Sequence, residues 1–260
     1  MRCVTINLGG LGRDWFGRRS EALHNGLRPL APDVICFQEA AIRSHEPVYN
    51  QAAAVGHALG LNFVAFSPYG NPIEVMSHEQ GGVAVAARWP MAYVENRRLQ
   101  EGMLDAPDNR VSLLVRLLAP WGDLHVVNTH LSWRPEEADI RLVQLGIVLD
   151  YLSHAGLCEP FTPLVFAGDL NAQEPEQAIG FAAKYLRDCF RTLHPEAPGH
   201  TWSRINPLAR EFPAPDRRLD YIFVPRSAHI KVARVVLDEP APVFASDHFG
   251  VLAEVEFPEE

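Results

Sequence analysis

A carboxylate and a carboxamide stand two residues apart after a strongly apolar segment of the chain. Residues 163–167 read Pro-Leu-Val-Phe-Ala, and Gly168, Asp169, Leu170 and Asn171 follow. Extended residues i and i+2 point to the same face of a strand, so we expect Asp169 and Asn171 to reach one small ligand together. Gly168 has no β-carbon, which lets another backbone or a ligand come close. The same residue types also form ordinary polar turns, so the segment needs support from the rest of the chain.

Polar side chains also stand at the ends of other predicted strands. They are Asn7, Gln38 with Glu39, His130, and Asp247 with His248, while Asp220 stands near the start of a further strand. Carboxylate and amide oxygens without a cysteine cluster suit Mg²⁺ or Mn²⁺ better than zinc. The two histidines of the set could transfer protons near neutral pH. A metal, a base for water and donors to phosphoryl oxygens are the combination that hydrolysis of a phosphate ester needs.

The elements that must carry these residues follow a mixed pattern. Apolar periodicity predicts strands near 2–8, 34–37, 61–66, 81–87, 92–99, 111–118, 123–129, 219–224, 229–237 and 249–256, in addition to the 163–171 segment, and helices near 16–30, 47–59, 135–154 and 175–186. The Pro-rich residues 195–218 predict a long loop, which in a compact domain is often functional. Strand-helix-strand units mixed with consecutive strands indicate α/β layers with mixed sheets. Since there is no low-complexity linker or short repeat, we expect a single domain over 1–260.

Composition places further bounds on function. The 260 residues are 47% hydrophobic, which is ample for a sizeable core. The net charge of -9 disfavours broad attraction to nucleic acid or an anionic membrane, but it does not exclude a local basic patch. No apolar run approaches the length of about 18 residues of a membrane span, and the first residues lack signal-peptide features, so a cytoplasmic location is expected. The four cysteines are far apart without a C-x-x-C, which indicates neither zinc nor a disulfide framework.

Arginine far outnumbers lysine. Its planar guanidinium is better suited than the lysine ammonium to bind phosphate oxygens through paired hydrogen bonds. Arg134 and Arg218 are the arginines that we place nearest a phosphate, because they stand close in sequence to His130 and Asp220; solvated surface is the alternative. Three aromatic residues could line a substrate groove, although packing is the favoured interpretation because aromatics dominate cores. They are Trp133, Trp202 and Phe249.

Six short segments together resemble the endonuclease/exonuclease/phosphatase superfamily, which includes deoxyribonuclease I, exonuclease III and the neutral sphingomyelinases. The segments are Thr5-Ile6-Asn7, Cys36-Phe37-Gln38-Glu39, Asn128-Thr129-His130-Leu131, Gly168-Asp169-Leu170-Asn171, Arg218-Leu219-Asp220-Tyr221-Ile222 and Ser246-Asp247-His248-Phe249-Gly250. Each is weak alone, but they follow the family order over nearly the whole chain. The resemblance implies a deoxyribonuclease I-like, four-layer α/β/β/α sandwich of two packed mixed β-sheets with outer helices.

The resemblance also implies a metal-dependent hydrolase of phosphoric esters, using Mg²⁺ with Mn²⁺ as an alternative. Glu39 would be the principal metal ligand, and Asn7 and Asp247 would lie near the same ion.

Five further residues take catalytic roles by the same resemblance. Asp169 and Asn171 would position and activate water and contact the scissile phosphate. His130 would bind or protonate a phosphoryl oxygen, and His248, oriented by Asp220, would be the second histidine at the phosphate. Asp169 and His248 are both candidates for the general base.

Two departures bear on the substrate. Family members that cut at abasic DNA sites carry a second acidic residue shortly after the first asparagine and a tyrosine near the position of His130, whereas this chain has Gly9 and His130. The branch with deoxyribonuclease I, sphingomyelinases and inositol polyphosphate phosphatases is therefore favoured. A carboxylate partner for His130 is expected, with Glu74 and Glu79 as candidates.

The resulting hypothesis is a monomeric phosphodiesterase acting on a nucleic acid, a nucleotide or a lipid head group by metal-assisted attack of water. Net charge does not favour nucleic acid among these substrates. The alternatives are a phosphomonoesterase for a small phosphorylated metabolite or inositol phosphate, and a non-catalytic binding protein on the same fold.

Overall fold

The computed structural model of the chain describes residues 1–12, 15–44, 47–70, 78–100, 109–209 and 214–258. The strands within these ranges, in chain order, are β1 (Arg2–Asn7), β2 (Val34–Arg43), β3 (Tyr49–Asn50), β4 (Phe63–Pro68), β5 (Glu79–Ala87), β6 (Met91–Arg98), β7 (Val111–Ala119), β8 (Gly122–His130), β9 (Leu164–Asp169), β10 (Arg187–Asp188), β11 (Asp220–Val224), β12 (His229–Val236) and β13 (Gly250–Glu256). The α-helices are α1 (Ser20–Leu27), α2 (Gln51–Ala58), α3 (Ala138–His154), α4 (Gln177–Tyr185) and α5 (Cys189–Leu193). Shorter helical turns cover Trp15–Arg19, Arg28–Leu30 and Pro135–Glu137.

The strands form two mixed sheets, as the alternating element pattern predicts. The first sheet has the order β12-β13-β1-β2-β5-β4, with β3 added to β2, and the second has the order β10-β11-β9-β8-β7-β6. One parallel pair lies inside each sheet, β1 with β2 and β8 with β9, and the other pairs are antiparallel. The polar ends of β1, β8 and β9 and the polar starts of β11 and β13 consequently meet at one edge of the sandwich.

Three apolar layers hold the two sheets and the helices together. Successive residues of β2 show why: Cys36 packs into the core between the sheets, whereas Ile35 and Phe37 pack toward α1 and α2 on the outer face. A third cluster packs the outer face of the second sheet against α3 and α4. Because both faces of these strands are buried, they are continuously apolar rather than alternating. The four-layer α/β/β/α sandwich expected from the resemblance is confirmed.

Several boundaries differ from the sequence expectation. β2 does not end at its polar residues Gln38 and Glu39 but continues to Arg43, because these two residues oppose the single residue Val83 of β5 in a bulge. Short elements such as β3, β10 and α5 were not predicted, since two to five residues carry too little periodicity. Among the described helices, none has the length and apolar character needed to cross a membrane.

Gly168 is required where β9 passes β8. Its φ is +153°, and a β-carbon built on it would lie 2.0 Å from the carbonyl oxygen of Thr129, its partner in the parallel ladder. The close neighbour expected at this glycine is therefore the backbone of β8. Backbone cannot move aside as the end of a side chain can, so residues with a β-carbon are excluded at this position.

We expect Gly168→Ala to lower the free energy of unfolding by about 2 kcal/mol or more, because the added methyl meets the β8 backbone at an unfavourable φ. Gly180→Ala is the matched control, since Gly180 is exposed in α4 and an added β-carbon meets nothing within 4 Å. The control should raise stability by roughly 0.5–1 kcal/mol. Urea unfolding of both variants measures the difference, and equal stabilities would contradict the proposed constraint.

Candidate active site

Neighbouring strands of the second sheet place three polar residues side by side. His130 at the end of β8 is the ladder partner of Asp169 at the end of β9, and Asp220 at the start of β11 is the partner of Asp169 on the other side. From the first sheet, Asn7 Nδ2 donates to Asp169 Oδ2 at 3.0 Å and to Glu39 Oε1 at 3.1 Å. Strand register within the second sheet and the Asn7 amide between the sheets thus bring these residues to one place.

The bulge in β2 directs Glu39 to this edge. Glu39 has a φ of +48°, an uncommon conformation for a residue with a side chain, and its N–H donates to the hydroxyl of Tyr69 at 3.1 Å. Burial, followed by the nearby charge of Asp247, raises the pKa of Glu39 above its ordinary value. The site therefore concentrates negative charge at Glu39 and Asp247.

A turn, and not a strand, joins Asp169 to Asn171. β9 ends at Asp169, Asn171 has a φ of +49°, and the Asn171 N–H donates to Asp169 Oδ1 at 2.9 Å. The prediction that both side chains leave one extended strand was therefore wrong. They still converge, because asparagine tolerates the left-handed conformation and its side chain turns back to lie 2.9 Å from His130 Nε2.

His248 and Asp220 form a buried pair. His248 Nδ1 lies 2.9 Å from Asp220 Oδ2, and His248 Nε2 lies 3.8 Å from Asp169 Oδ2. Burial alone would lower the pKa of His248, but Asp220 first, and then Asp169 and Asp247, raise it well above its ordinary value. Burial and the charge of Asp220 raise the pKa of Asp169 to about 7. These carboxylates stabilise the charged form of the His248 imidazole.

His130 has a contrasting environment. Its Nδ1 lies 2.7 Å from the hydroxyl of Tyr69 and 3.0 Å from Arg110 Nη1. Arginine can only donate, so Nδ1 must accept, and the ring is neutral with its proton on Nε2. Burial first, and then the charges of Arg110 and His248, hold the pKa of His130 well below its ordinary value.

Among the described residues, Tyr69 and Arg110 contact His130 Nδ1, and the sequence analysis missed both. The described carboxylate nearest His130 is Asp169, whose Oδ2 lies 3.4 Å from Nε2. Glu74 lies outside the described residues, and Glu79 begins β5 opposite Arg43. Tyr69 follows the end of β4 and Arg110 precedes the start of β7. The signal that could have identified them is the same strand-end position that identified the other polar residues.

These side chains surround a cleft of about 530 Å³. Its described lining consists of Glu39, Arg110, His130, Trp133, Pro135, Asp169, Asn171, Trp202, Ala214, Arg217, Leu219, Asp247 and His248. Packing was the favoured interpretation for Trp133 and Trp202, but both also form walls of this cleft. Phe249 is buried beside Phe244, as expected of a packing residue.

The two arginines assigned to the substrate occupy other positions within the described structure. Arg218 is outside the cleft lining, and its Nη2 donates to Glu174 Oε1 and Asp188 Oδ2, both at 2.6 Å. Arg218 is thus a buried ion-pair residue in this structure, and its substrate-binding role stays a prediction. Arg134 is likewise outside the lining and donates to Glu137 Oε1 at 3.0 Å, so its role stays a prediction.

The donor set fits a hard divalent cation. Glu39 and Asp247 both line the cleft, and the mutual effect of their negative charges would be relieved by a cation. A second group, Asp169, Asp220 and His248, has potential ligand atoms within 4.8 Å of one another. His248 Nδ1 is already engaged by Asp220 in that group. Glu39 and Asp247 therefore remain our predicted metal ligands. In this structure the Asn7 amide donates to Glu39 and accepts the Gly9 N–H, so Asn7 orients a ligand, and its own role as a ligand stays a prediction.

The chain is similar in sequence to one protein family and to several characterised proteins. The Endonuclease/Exonuclease/phosphatase family matches residues 4–248. Sphingomyelinase C of Bacillus cereus is 27% identical over 161 residues, which cover 55% of this chain and 47% of that protein. The 2',5'-phosphodiesterase 12 of Homo sapiens is 41% identical over 49 residues, which cover 18% of this chain and 8% of that protein. The chain thus matches less than half the length of both curated relatives.

A solved structure supports the same relationship. The endonuclease/exonuclease/phosphatase from Beutenbergia cavernae is 25% identical, has a TM-score of 0.75, and is matched over 99% of this chain and 71% of its own. Sequence pattern, fold and the order of the site residues agree. This chain is a member of the Endonuclease/Exonuclease/phosphatase family.

Proposed function

We propose that the protein is a phosphodiesterase that hydrolyses its substrate by attack of water with a divalent metal, Mg²⁺ or Mn²⁺. The observation that carries this proposal is the row of His130, Asp169 and His248 along a cleft that also contains the carboxylates Glu39 and Asp247. This arrangement provides two differently charged histidines and separate carboxylates for a metal and for water. A phosphoester substrate, a monomeric state and a cytoplasmic location remain predictions.

Glu39, Asn7 and Asp247 would hold the metal. A bound divalent ion would neutralise charge that develops on a phosphoryl oxygen. The amide of Asn7 also donates to Asp169, so the same residue would position the metal ligands and the carboxylate that faces water.

Asp169 is the base that the geometry favours. Asp220 at 2.9 Å and Asp169 at 3.8 Å stabilise His248 as an imidazolium, which cannot accept a proton. His248 would therefore donate a hydrogen bond to a phosphoryl oxygen. Asp169 is left to accept the proton of the attacking water, oriented by its bonds from Asn7 and from the Asn171 N–H.

His130 would bind the phosphate as a neutral donor. Its Nδ1 is engaged by Tyr69 and Arg110, so Nε2–H is the donor that would reach a phosphoryl oxygen. That oxygen would replace the present neighbours of Nε2, which are the Asn171 amide at 2.9 Å and Asp169 Oδ2 at 3.4 Å. The fixed positive charge on this side of the cleft belongs to Arg110. Of the two roles considered for His130, binding is favoured over proton donation.

We expect hydrolysis of bis(4-nitrophenyl) phosphate in the presence of Mg²⁺ or Mn²⁺, with much slower release of inorganic phosphate from 4-nitrophenyl phosphate. Asp169→Asn serves as the inactive control for contaminating enzymes. Hydrolysis of the monoester alone would establish the phosphatase alternative. Absence of hydrolysis across aryl, nucleotide and lipid diesters would establish the non-catalytic alternative.

Glu39→Gln should lower turnover at low Mg²⁺ by roughly two orders of magnitude or more, because an amide has no charge to hold a hard dication. Raising Mg²⁺ should restore part of the activity. A second readout is the rise in melting temperature that Mg²⁺ causes, which should be smaller in the variant than in the wild type. Normal turnover at low Mg²⁺ would show that Glu39 is not a ligand.

His248→Ala and Asp220→Asn should each lower turnover by roughly two to four orders of magnitude, since Asp220 orients His248 and stabilises its charge. The double variant should be little worse than either single variant, because groups that act as one unit are not additive. Turnover and melting temperature are measured for all three proteins. Additive losses in turnover, or a loss confined to stability in Asp220→Asn, would disprove the pairing.

A further inference from the structure

Arg217 lies on a wall shared by two cavities. One is the active-site cleft of about 530 Å³, and the other is a cavity of about 390 Å³. The charged and titratable residues that line the second cavity beside Arg217 are Arg191, Arg218, His200, Glu174 and Glu196. Neither of the arginines singled out from the sequence has this position, because Arg218 faces the second cavity only and Arg134 faces neither. Arg217 can thus contact a ligand that extends from the reaction centre toward the second cavity.

The backbone holds Arg217 in a defined place relative to the reaction centre. Its N–H donates to the Trp202 carbonyl at 2.9 Å and its carbonyl accepts the Trp202 N–H at 3.0 Å, while Trp202 forms a second bridge with His248. The Arg217 guanidinium lies over the Trp202 ring, 4.8 Å from its centroid. Because Trp202 is itself buried, this stacking limits the movement of the guanidinium.

Arg217 differs from the other arginines of the second cavity in its charge balance. Arg191 and Arg218 are both ion-paired with Glu174 at 2.6 Å, and Arg218 is also paired with Asp188. Across the described ranges, the Arg217 guanidinium forms no ion pair or hydrogen bond, and its Nε is buried without an acceptor. A half-buried cation whose Nε has no acceptor is stabilised by an anionic ligand.

The charges around Arg217 also support an anionic ligand at this position. Burial lowers the pKa of the Arg217 guanidinium from its ordinary value, and the carboxylate that opposes this shift most strongly is Asp169 of the reaction centre. The guanidinium stays charged at neutral pH, because its ordinary pKa is far above 7. It therefore acts electrostatically on whatever occupies the cleft.

We propose that Arg217 forms a second anion subsite, which selects phosphodiesters that carry a further phosphate beside the scissile one. This inference rests on the proposed function. A short nucleotide chain has that chemistry, and so does a phosphorylated inositol diester. A choline phosphodiester presents a cation instead, which Arg217 would repel. Guanidinium binds phosphate oxygens through two parallel hydrogen bonds, so the subsite should act mainly on substrate binding.

The test compares substrates that differ by one phosphate. The pairs are thymidine dinucleotide with and without a terminal phosphate at either end, and glycerophosphoinositol with and without a ring phosphate, with glycerophosphocholine as the cationic comparison. We expect wild-type kcat/KM to be about 10-fold or more higher for the phosphorylated member of at least one pair. The pair that shows the effect identifies the source of the second phosphate.

Arg217→Gln should remove this preference, lowering kcat/KM by roughly 10- to 100-fold more for the phosphorylated substrate than for its partner, chiefly through KM. Arg217→Lys should retain part of it. Arg226→Gln is the matched control, because Arg226 is exposed and donates only to the carbonyls of Ala183 and Lys184 within the described structure. This control should leave the preference unchanged, and melting temperatures of all variants separate binding from folding.

The outcomes distinguish the two proposals. If the wild type hydrolyses diesters without preference for a second phosphate, or prefers glycerophosphocholine, the subsite is disproved and the phosphodiesterase assignment stands. An equal loss on both members of a pair in Arg217→Gln would also disprove the subsite. Failure to hydrolyse any diester would disprove the proposed function and the subsite with it.

Discussion

The side-chain amide of Asn7 joins the two sheets at the edge where the cleft opens. Its Nδ2 donates to Glu39 in the first sheet and to Asp169 in the second, and its Oδ1 accepts the Gly9 N–H at 2.9 Å. Asn7 is 1% exposed, so leaving any of these groups unpaired would cost about 1–3 kcal/mol. Asn7 therefore sets the distance between Glu39, the carboxylate proposed for the metal, and Asp169, the carboxylate proposed for water.

A pair of buried amides, Gln38 in β2 and Asn128 in β8, also joins the two sheets. Gln38 Nε2 donates to Asn128 Oδ1 at 2.7 Å, and Asn128 Nδ2 donates to the carbonyls of Phe37 and Ala84, both at 2.8 Å. These contacts connect β2 and β5 of one sheet with β8 of the other. Apolar packing between sheets tolerates small sliding, whereas directional hydrogen bonds inside a low-dielectric core do not. The amides thus fix how the two halves of the active site face each other.

The two histidines illustrate how surroundings give one residue type two chemical states. Carboxylates surround His248, and Asp220 in particular stabilises its charged form. His130 is buried against Arg110 and the hydroxyl of Tyr69, which stabilise its neutral form. A phosphate bound between them would meet one charged donor and one neutral donor beside a fixed guanidinium. The cleft therefore provides positive charge without requiring both imidazoles to be protonated.

The sequence by itself determined the mixed α/β layers and the strand-end positions of the catalytic candidates, because strand burial and polar termini are encoded in local residue patterns. Tertiary structure alone decided the rest. The bulge that directs Glu39 depends on pairing between β2 and β5, and the turn that returns Asn171 to His130 depends on the end of β9. Tyr69 and Arg110 meet His130 from distant segments, and Arg217 lines the cleft whereas its neighbour does not. Contacts between remote residues depend on sheet register and packing, which no local pattern specifies.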